Sequence, residues 1–559
     1  MAGRPAERPT RTDAAETQLT AAPRVYDVAI VGLGPVGQTL GLLLAQRGHN
    51  VVVVEKQPNP YPLPRAVHYD PDVSRLLDGL GLADFMAEFA SPTASYEWQT
   101  ADRQTMLRFD YSAAGNQGWP ESSMFNQPAL EERLRTRGAD FPDLKVYRGT
   151  EVVGFDQQDG LVELRVTGRT LKQRTLRAKY AVGADGSNSF VRQYMNTAVK
   201  DLGFFYDWLI VDLLPTDGRV WEPDNLQVCD PDRPTTTVSA GPGRRRFEFM
   251  RMPGDDLTVF DTDEFAWQLL APWGVTPETA TLERRAIYRF QAKWVENWRD
   301  GRVFLAGDAA HQMPPFYGQG LVSGIRDSAN LAWKLDLVLN GVAGDALLDT
   351  YTTERAAHVQ FALGMSVELG RVICQTDPAA VAERDAHFLA NGPLPQDVLP
   401  PVPPERLGPG AFPQTDPTLS PVAGLISVQG RVGHAAGTVD LLDRSTFGRF
   451  TVLLDGRAVD DDTAAVLANL LPDGLPALVV RVLPKGSAPT GGSSSVLTVT
   501  DEDDRYLPEL AARGQIAQLI RPDFFIYGGA ADQDELSGLV RSLPDALHLT
   551  VPAKTSGAA

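Results

Sequence analysis

The sequence predicts a mixed α/β fold in which a nucleotide-binding domain is interrupted by an inserted β-sheet and followed by a smaller α/β domain. Three observations predict it. A β-α-β pattern with a glycine turn begins at Tyr26. Strand-like segments in the middle of the chain give way after Arg302 to a further strand, a loop and a long helix. A proline-dense stretch then precedes another set of alternating strands and helices.

The first unit reads DVAIVGLGPVGQTLGLLLAQRGHNVVVVEK: a β-branched run, a glycine turn, an apolar helix ended near Gly48, and a strand from Val51 to Val54. Gly32, Gly34 and Gly37 form G-x-G-x-x-G. With 50 glycines in 559 residues, about 0.4 such matches arise by chance, so the context decides. Here the motif follows a strand and opens a helix, and Glu55 ends the next strand 18 residues beyond Gly37. Glycine permits the tight turn and close backbone approach to a pyrophosphate, and the helix N-terminus favours its negative charge. Glu55 is placed to accept hydrogen bonds from ribose hydroxyls. Pro35 and Val36 in the turn, and Lys56 beyond Glu55, complete the expected contacts of a Rossmann-like site. The fingerprint alone does not separate FAD from NAD.

Further along, LVELRV and LRAKYAVGAD read as antiparallel strands leading into a second loop, and LIVDLL from Leu209 and FEFMRM from Phe247 read as a central sheet. In the latter, alternate residues face opposite sides, one a pocket wall and the other core. RVFLAGD from Arg302, followed by a helical pattern from Ser323 to Leu339, returns the chain to the first domain. Ten prolines between Pro393 and Pro421 exclude regular helix or sheet and mark a connector. Beyond it LISVQG, FTVLLDG, ALVVRVL and DFFIYGG alternate with helical patterns such as DTAAVLANLL. The expected organisation is therefore a disordered tail over 1–22, a nucleotide-binding domain over 23–195, an inserted sheet domain over 196–290, a return to the first domain over 291–390, a connector over 391–421, and a last domain over 422–559.

Composition narrows the function. A hydrophobic content of 43% suffices for sizeable cores, and a net charge of -19 repels nucleic acid and anionic membranes, leaving small molecules as the expected partners. Cys229 and Cys374 lie far apart, in no disulfide-framework or metal-like spacing, which suits a reducing cytoplasm and implies no metal site. The first 22 residues carry Arg4, Arg8 and Arg11 but no apolar h-region, so no secretory signal is expected. The apolar window from Val28 to Ala45 is broken by glycines and Pro35 and reads as the nucleotide turn rather than a membrane span.

Two further segments carry a resemblance. AVGADGSNSFVR holds Asp185 and Gly186 after a strand, and VFLAGDAAHQMPPFYGQGLVSGIRDSANLAWKL holds Gly307, Asp308 and a proline- and glycine-rich turn. With the first fingerprint these resemble, in order and separation, the three signatures of the single-component (class A) aromatic flavoprotein monooxygenases, the class containing para-hydroxybenzoate hydroxylase. RRFEFMRMPG and LLDTYTTER look like the 3-(3-hydroxyphenyl)propionate hydroxylase subgroup, with similarity from Tyr26 to the C-terminus. The resemblance implies bound FAD, NADH or NADPH as co-substrate, and dioxygen. It also implies a para-hydroxybenzoate hydroxylase-like fold, a thioredoxin-like C-terminal domain without C-x-x-C that supports structure or a homodimer, and hydroxylation of a phenolic ring through a flavin C4a-hydroperoxide.

The same resemblance assigns residues. It puts Asp185 near the pyrophosphate and nicotinamide path and Asp308 at the flavin ribityl or ribose region. Arg65 falls at the pyrophosphate or nicotinamide, where a planar guanidinium suits phosphate oxygens, and Gln127 at the flavin. Pro315, Gly318 and Gly320, with the backbone of Leu321 and Val322, would pass beside the flavin ring. Read alone, Asp308 is equally a helix N-cap, Asp185 an Asp-Gly turn, and Gln127 a capping or loop residue. His68, Tyr206 and Tyr317 are candidates to polarise the substrate hydroxyl, and Trp208, Phe247, Phe249 and Pro315 to line its pocket. The expected substrates are 3-(3-hydroxyphenyl)propionate-like phenolic acids. The alternatives are larger polyketide-like aromatics, acted on by hydroxylation, epoxidation or oxygen insertion, and a non-catalytic flavin-binding protein.

Overall fold

The computed structural model describes residues 24–168, 173–401, 403–489 and 495–550; the tail expected over 1–22 lies outside them. The first sheet is built on parallel strands in the order Val303–Leu305, Gln173–Gly183, Val25–Val31, Val51–Glu55 and Leu144–Arg148. Val28 to Val31 and Val51 to Val54 are buried on both faces, which is why they read as unbroken apolar runs rather than alternations. Between the first two strands in sequence runs the helix Pro35–Gln46, started by a proline in its first turn. Its tight seat on the sheet needs glycine: a Cβ on Gly41 would already touch Leu144, Ile30 and Val53. The strand Leu161–Thr167, antiparallel to Gln173–Gly183, and the strand Glu151–Gln158, antiparallel to Leu161–Thr167, extend this sheet.

The chain then leaves for a second, eight-stranded sheet. Its centre is the antiparallel set Ala280–Val295, Val199–Pro215, Arg245–Met250, Thr235–Ser239 and Asn225–Val228. The insertion expected over 196–290 is thus present but its limits need correction. The sheet also recruits Ser95–Gln99, parallel to Asn225–Val228, and Thr105–Asp110, and its last long strand ends at Val295. Local pattern could not assign those early strands, because sheet partners separated by more than a hundred residues are joined by the fold alone.

The return strand Val303–Leu305 leads through a short turn to the helix Gly320–Leu339, and the helix Thr350–Ile373 follows. The proline-rich connector contains only the short helices Pro395–Val398 and Pro417–Leu419, yet it is docked rather than loose: Leu407, Ala411 and Phe412 are buried. In the last domain, parallel Phe450–Asp455 and Ala477–Pro484 sit beside the antiparallel pair Ala517–Ile520 and Ile526–Ala530, with Val496–Asp501 added at the far side. That strand order, with intervening helices, is thioredoxin-like. Buried ion pairs lock this domain to the first: Arg75 to Asp443 at 2.7 Å and Arg521 to Glu354 at 2.8 Å, with Asp523 holding Arg521 from within the last domain at 2.7 Å. No described helix is long and apolar enough to cross a membrane.

Candidate active site

One cavity of about 1690 Å³ runs from the carboxyl ends of the parallel strands to the inner face of the second sheet. At the nucleotide end its wall is largely backbone. Gly32 has φ +104°, and a Cβ there would fall 2.3 Å from the Ala184 carbonyl oxygen; one on Gly37 would fall 2.1 Å from the Gly32 carbonyl oxygen. Gly32 and Gly37 are therefore closed to any side chain. Glu55 braces it by accepting from the Leu33 N–H at 2.9 Å, and its carboxylate faces the cavity beside Lys56. Arg65 lines the same end, packed on Tyr61, with its guanidinium free of ion pairs among the described residues. Gln127 carries the loop that presents Arg65: its Oε1 accepts from the N–H groups of Arg65 (3.2 Å) and Ala66 (2.8 Å), while its Nε2 donates to Glu131.

In the middle, Asp308 opens onto the cavity, and its carboxylate accepts no hydrogen bond among the described residues, while its carbonyl accepts from Arg192 at 3.4 Å. Loss of water raises its carboxyl above the ordinary range despite the opposing pull of His311, Arg65 and Arg192. The turn that presents it is pinned from behind by buried Asp327, which accepts from the Gly307 N–H (2.9 Å) and pairs with His311 (2.8 Å) and Arg355 (2.8 Å). Pro315, Tyr317, Gly318, Gly320 and Leu321 continue the wall into the 20-residue helix that starts at Gly320. Gly318 has φ +70°, and a Cβ there would meet the His68 ring at 2.8 Å. Behind this loop Tyr317 donates to Glu405 at 2.8 Å, and Arg326 holds Asp70 (2.8 Å) and Asp72 (2.6 Å).

At the far end the wall is the second sheet. Registers place Ile210, Glu248, Thr236, Gln227 and Trp98 on one face, with Tyr96, Phe109, Asn225, Val238, Arg246, Tyr288 and Phe290 beside them. Beneath this face lies a buried ionic layer. Arg246 donates to both oxygens of Asp212 (2.7 and 3.0 Å) and to the carbonyls of Arg65 (2.8 Å) and Pro64 (3.0 Å), tying the Arg65 loop to the sheet. Arg284 donates to the Pro64 carbonyl and to the Tyr288 hydroxyl.

Comparison with known proteins now decides the family. A family model described as an FAD binding domain matches residues 25–366, and one described as an HcaD C-terminal domain matches residues 424–546. A protein of Rhodococcus jostii (strain RHA1) named probable NADH-specific resorcinol 4-hydroxylase is 36% identical over 524 residues, covering 93% of this chain and 95% of its own. The chain belongs to the class A FAD-dependent aromatic monooxygenases. The 3-(3-hydroxy-phenyl)propionate/3-hydroxycinnamic acid hydroxylase of Comamonas testosteroni is 30% identical over 584 residues, 94% of this chain and 98% of that one. Among solved structures, the flavin-dependent monooxygenase PieE in complex with FAD and substrate superposes with a TM-score of 0.73 at 23% identity, covering 94% of this chain and all of that one; at that identity the likeness is one of fold.

The monooxygenase's cavity fits FAD on its own geometry. A glycine turn closed to a Cβ at Gly32, a carboxylate at the end of the second strand, an arginine without an ion pair and an Asp308 carboxylate without a hydrogen bond among the described residues supply donors and acceptors of the kind that a dinucleotide with a ribityl chain requires. Gly32, Gly34, Pro35, Val36, Glu55, Lys56, Arg65, Gln127, Asp185, Asp308, Gly318, Gly320 and Leu321 all line it. Two expected cofactor contacts stand behind the wall: Gly37 and Gly307 serve close packing, against Gly32 and Val36 respectively. The Val322 side chain is buried in the core, while the contact expected of it is through its backbone. Asp185 is spent locally: it accepts from the Ser189 hydroxyl and from the N–H groups of Phe190 (2.7 Å) and Val191 (3.1 Å), so it shapes its loop as the Asp-Gly turn reading requires.

The substrate expectations need more correction. Phe247 and Phe249 face away from the cavity and pack with Leu209, Val211, Phe260 and Leu270 in the sheet's outer core. Strand alternation was legible, but the apolar face was taken for the pocket, whereas the cavity face carries Arg246, Glu248 and Met250. Trp208 is fully buried behind Phe316 and Phe290, and Tyr206 packs in the same core; neither lines the cavity. His68, Tyr317 and Pro315 do line it, with His68 Nε2 3.7 Å from Asp70. Residues that sequence reading missed are Tyr96, Trp98, Phe109, Asn225, Gln227, Thr236, Glu248, Tyr288 and Phe290. Glu248 alone gave a signal, as a charged residue inside a strand otherwise rich in aromatics.

Proposed function

We propose that this enzyme hydroxylates a small, uncharged phenol of the resorcinol type, with NADH as reductant and dioxygen as oxidant. One observation carries the choice among phenols. At the sheet end of the cavity every arginine is already engaged: Arg246 by Asp212, Arg284 by the Pro64 carbonyl and Tyr288, Arg326 by Asp70 and Asp72, and Arg289 by Asp207 at 2.8 Å. The charge left facing the cavity is the Glu248 carboxyl. A substrate carboxylate would have to displace one of those pairs and approach a like charge, which costs more than an uncharged ring pays on the same aromatic shelf. The name of the Rhodococcus relative specifies both resorcinol and NADH.

Bound FAD, once reduced by the nicotinamide, supplies the activated oxygen. The chain's own residues do the rest. Tyr96, Trp98, Phe109 and Phe290 offer flat apolar surface to a ring, and Ile210, Val238 and Leu369 exclude water around it. Hydrogen bonding by the site itself already occupies the amides of Asn225, through Thr93 and Ser239, and of Gln227, through Thr236 and two backbone carbonyls. This leaves the ring's hydroxyls to be recognised by few groups.

A second reading, the expected 3-(3-hydroxyphenyl)propionate-like acids, is favoured by the name of the Comamonas relative. In that case Arg289, more than half exposed, would release Asp207 to meet the carboxylate. A panel of resorcinol, simple phenols and the arylpropionates, followed by NADH consumption together with product mass, separates the two. Mass gain of one oxygen on resorcinol with high coupling supports the proposal, and turnover confined to the acids refutes it. We also assign the enzyme to the cytoplasm, where its two buried free thiols, Cys229 and Cys374, suit a reducing medium. A homodimer would cover Val199, Leu202 and Phe205, apolar and exposed along the strand Val199–Pro215, and light scattering tests it.

A further inference from the structure

Resting on the phenol-hydroxylase reading, we propose that Glu248 is the group that accepts the proton of the substrate's phenolic hydroxyl. It sits in the strand Arg245–Met250, between Ile210 on one neighbouring strand and Thr236 on the other, with its side chain on the cavity face. The residue is 8% exposed, and it lines the cavity. Among the described residues its carboxylate accepts no hydrogen bond; its charged neighbour is the Arg246 guanidinium at 3.8 Å. A buried carboxylate without a donor is costly, so a ligand donor at this position repays the site as well as the ligand.

Other candidates on the wall are occupied. Asp212 gives both oxygens to Arg246, Asp70 accepts from Gln319 and Arg326, and Glu405 accepts from Tyr317 and pairs with His358. Glu121 accepts from the Asn116 N–H. Asp308 belongs to the flavin region, and His68 lies across the cavity against Gly318 and Asp70. The charged and titratable groups that face Glu248 are Arg246 on its own strand, Asp212 on the adjacent strand, Arg284 and Tyr288 on the strand beyond it, and Tyr96 on the early strand recruited to the sheet. Burial, opposed by Arg246 and assisted by Asp212, pushes the Glu248 carboxyl up to about 7. A base with that value is about half ionised at neutral pH and far more basic than an ordinary carboxylate, the range in which general-base catalysis is most effective.

The step balances within the substrate. As the phenolic O–H breaks, its proton passes to a Glu248 oxygen and its electron pair moves into the ring, making the ortho and para carbons nucleophilic toward the incoming oxygen. Carbon–oxygen bond formation, as the O–O bond of the dioxygen-derived oxidant breaks and its second oxygen departs at the level of water with the two electrons that NADH supplies, leaves a dienone. Loss of that carbon's hydrogen as a proton to solvent restores the aromatic ring, and the carbonyl oxygen takes its proton back from Glu248. Glu248 is thereby returned to its starting form.

The test uses FAD-loaded wild type, E248Q and E248D, with flavin content and thermal stability measured first so that unfolded protein is excluded. Two readings follow: the pH profile of kcat/KM, and the pH dependence of resorcinol binding seen as a perturbation of the flavin absorbance without NADH. Wild type should show a limb in kcat/KM rising through about pH 7, and resorcinol affinity should strengthen several-fold across the same interval. E248Q should lose both pH dependences and about 10²- to 10⁴-fold in kcat/KM, and E248D should restore the limb with a partial rate. A folded E248Q that keeps both profiles and a rate within about threefold of wild type, which is far less than the loss of a general base produces, overturns the proposal alone. A wild-type enzyme that turns over no phenol overturns the hydroxylation reading and this inference together.

Discussion

The two ends of the cavity are built on opposite plans. The nucleotide end is made of backbone from short contiguous segments, held by glycines whose missing Cβ atoms make room for neighbouring carbonyls at 2.1 to 2.3 Å. The sheet end is made of side chains from strands as far apart as Ser95–Gln99 and Ala280–Val295, brought to one face by register. A site of the first kind tolerates almost no substitution at a few positions. A site of the second kind spreads its tolerance unevenly between the two faces of each strand. The comparison teaches that cofactor binding here depends on local conformation, and substrate choice on long-range pairing.

The largest expected effect tests the first half. Gly32→Ala should abolish FAD retention, because the added methyl meets the Ala184 carbonyl and the residue's φ of +104° is closed to alanine; normal flavin content after purification would break the contrast. Next, Asp212→Asn should cost about 3 to 5 kcal/mol by leaving the Arg246 cation buried without its partner, read by chemical denaturation of the holoenzyme. It should also loosen the Arg65 loop, which Arg246 holds.

A third prediction concerns pH. The Glu248 carboxyl is raised to about 7 in the folded enzyme, above its unfolded value of about 4.3. Its favourable contribution is full below pH ~4.3 and is lost as pH rises through about 7, a difference of roughly 4 kcal/mol that E248Q should remove. Equal pH slopes of stability for wild type and E248Q would show that the carboxylate is better solvated than its position implies. Fourth, Asp308→Ala should weaken FAD binding by roughly ten- to a hundredfold, the loss of one hydrogen bond to a charged acceptor, measured by flavin fluorescence on reconstitution. The smallest effect sharpens the second half: Phe247→Leu should cost about 1 to 2 kcal/mol of stability while KM for the phenol stays within twofold, since Phe247 packs on the outer face and the neighbouring Glu248 lines the cavity. A large KM change would place the pocket on the wrong side of the strand.

Legibility followed the same divide. Gly32, Gly34 and Glu55 were readable because they lie in a short segment whose spacing already specifies strand, turn and helix, whereas Arg65 and Asp308 were assigned only through the resemblance to the hydroxylases. Asp185 shows the limit of that reading: its motif was recognisable, but whether its carboxylate faced a cofactor or its own turn depended on Ser189 and two backbone N–H groups. Asp327 went unread because its partners, Gly307, His311 and Arg355, are spread along the chain. At the sheet end the period of two in RRFEFM was plain, but its phase was not. Hydrophobicity favours the Phe247 and Phe249 face as a pocket for an aromatic ring, yet those rings are needed to cover the helices outside the sheet.

By itself, then, the sequence determined the α/β architecture, the nucleotide-binding turn, the inserted sheet and a separate last domain beyond the connector, since each follows from periodicity, glycine placement and proline density over a few tens of residues. The docking of that domain, through the pairs of Arg75 with Asp443 and Arg521 with Glu354, was decided by the tertiary structure. Only the tertiary structure decided which face of the sheet meets the ring, that every arginine there is paired, and that Glu248 is left facing the cavity without a donor. Those facts depend on strand order and register between distant segments, and alternation along one strand is symmetrical between its two faces until the rest of the fold covers one of them.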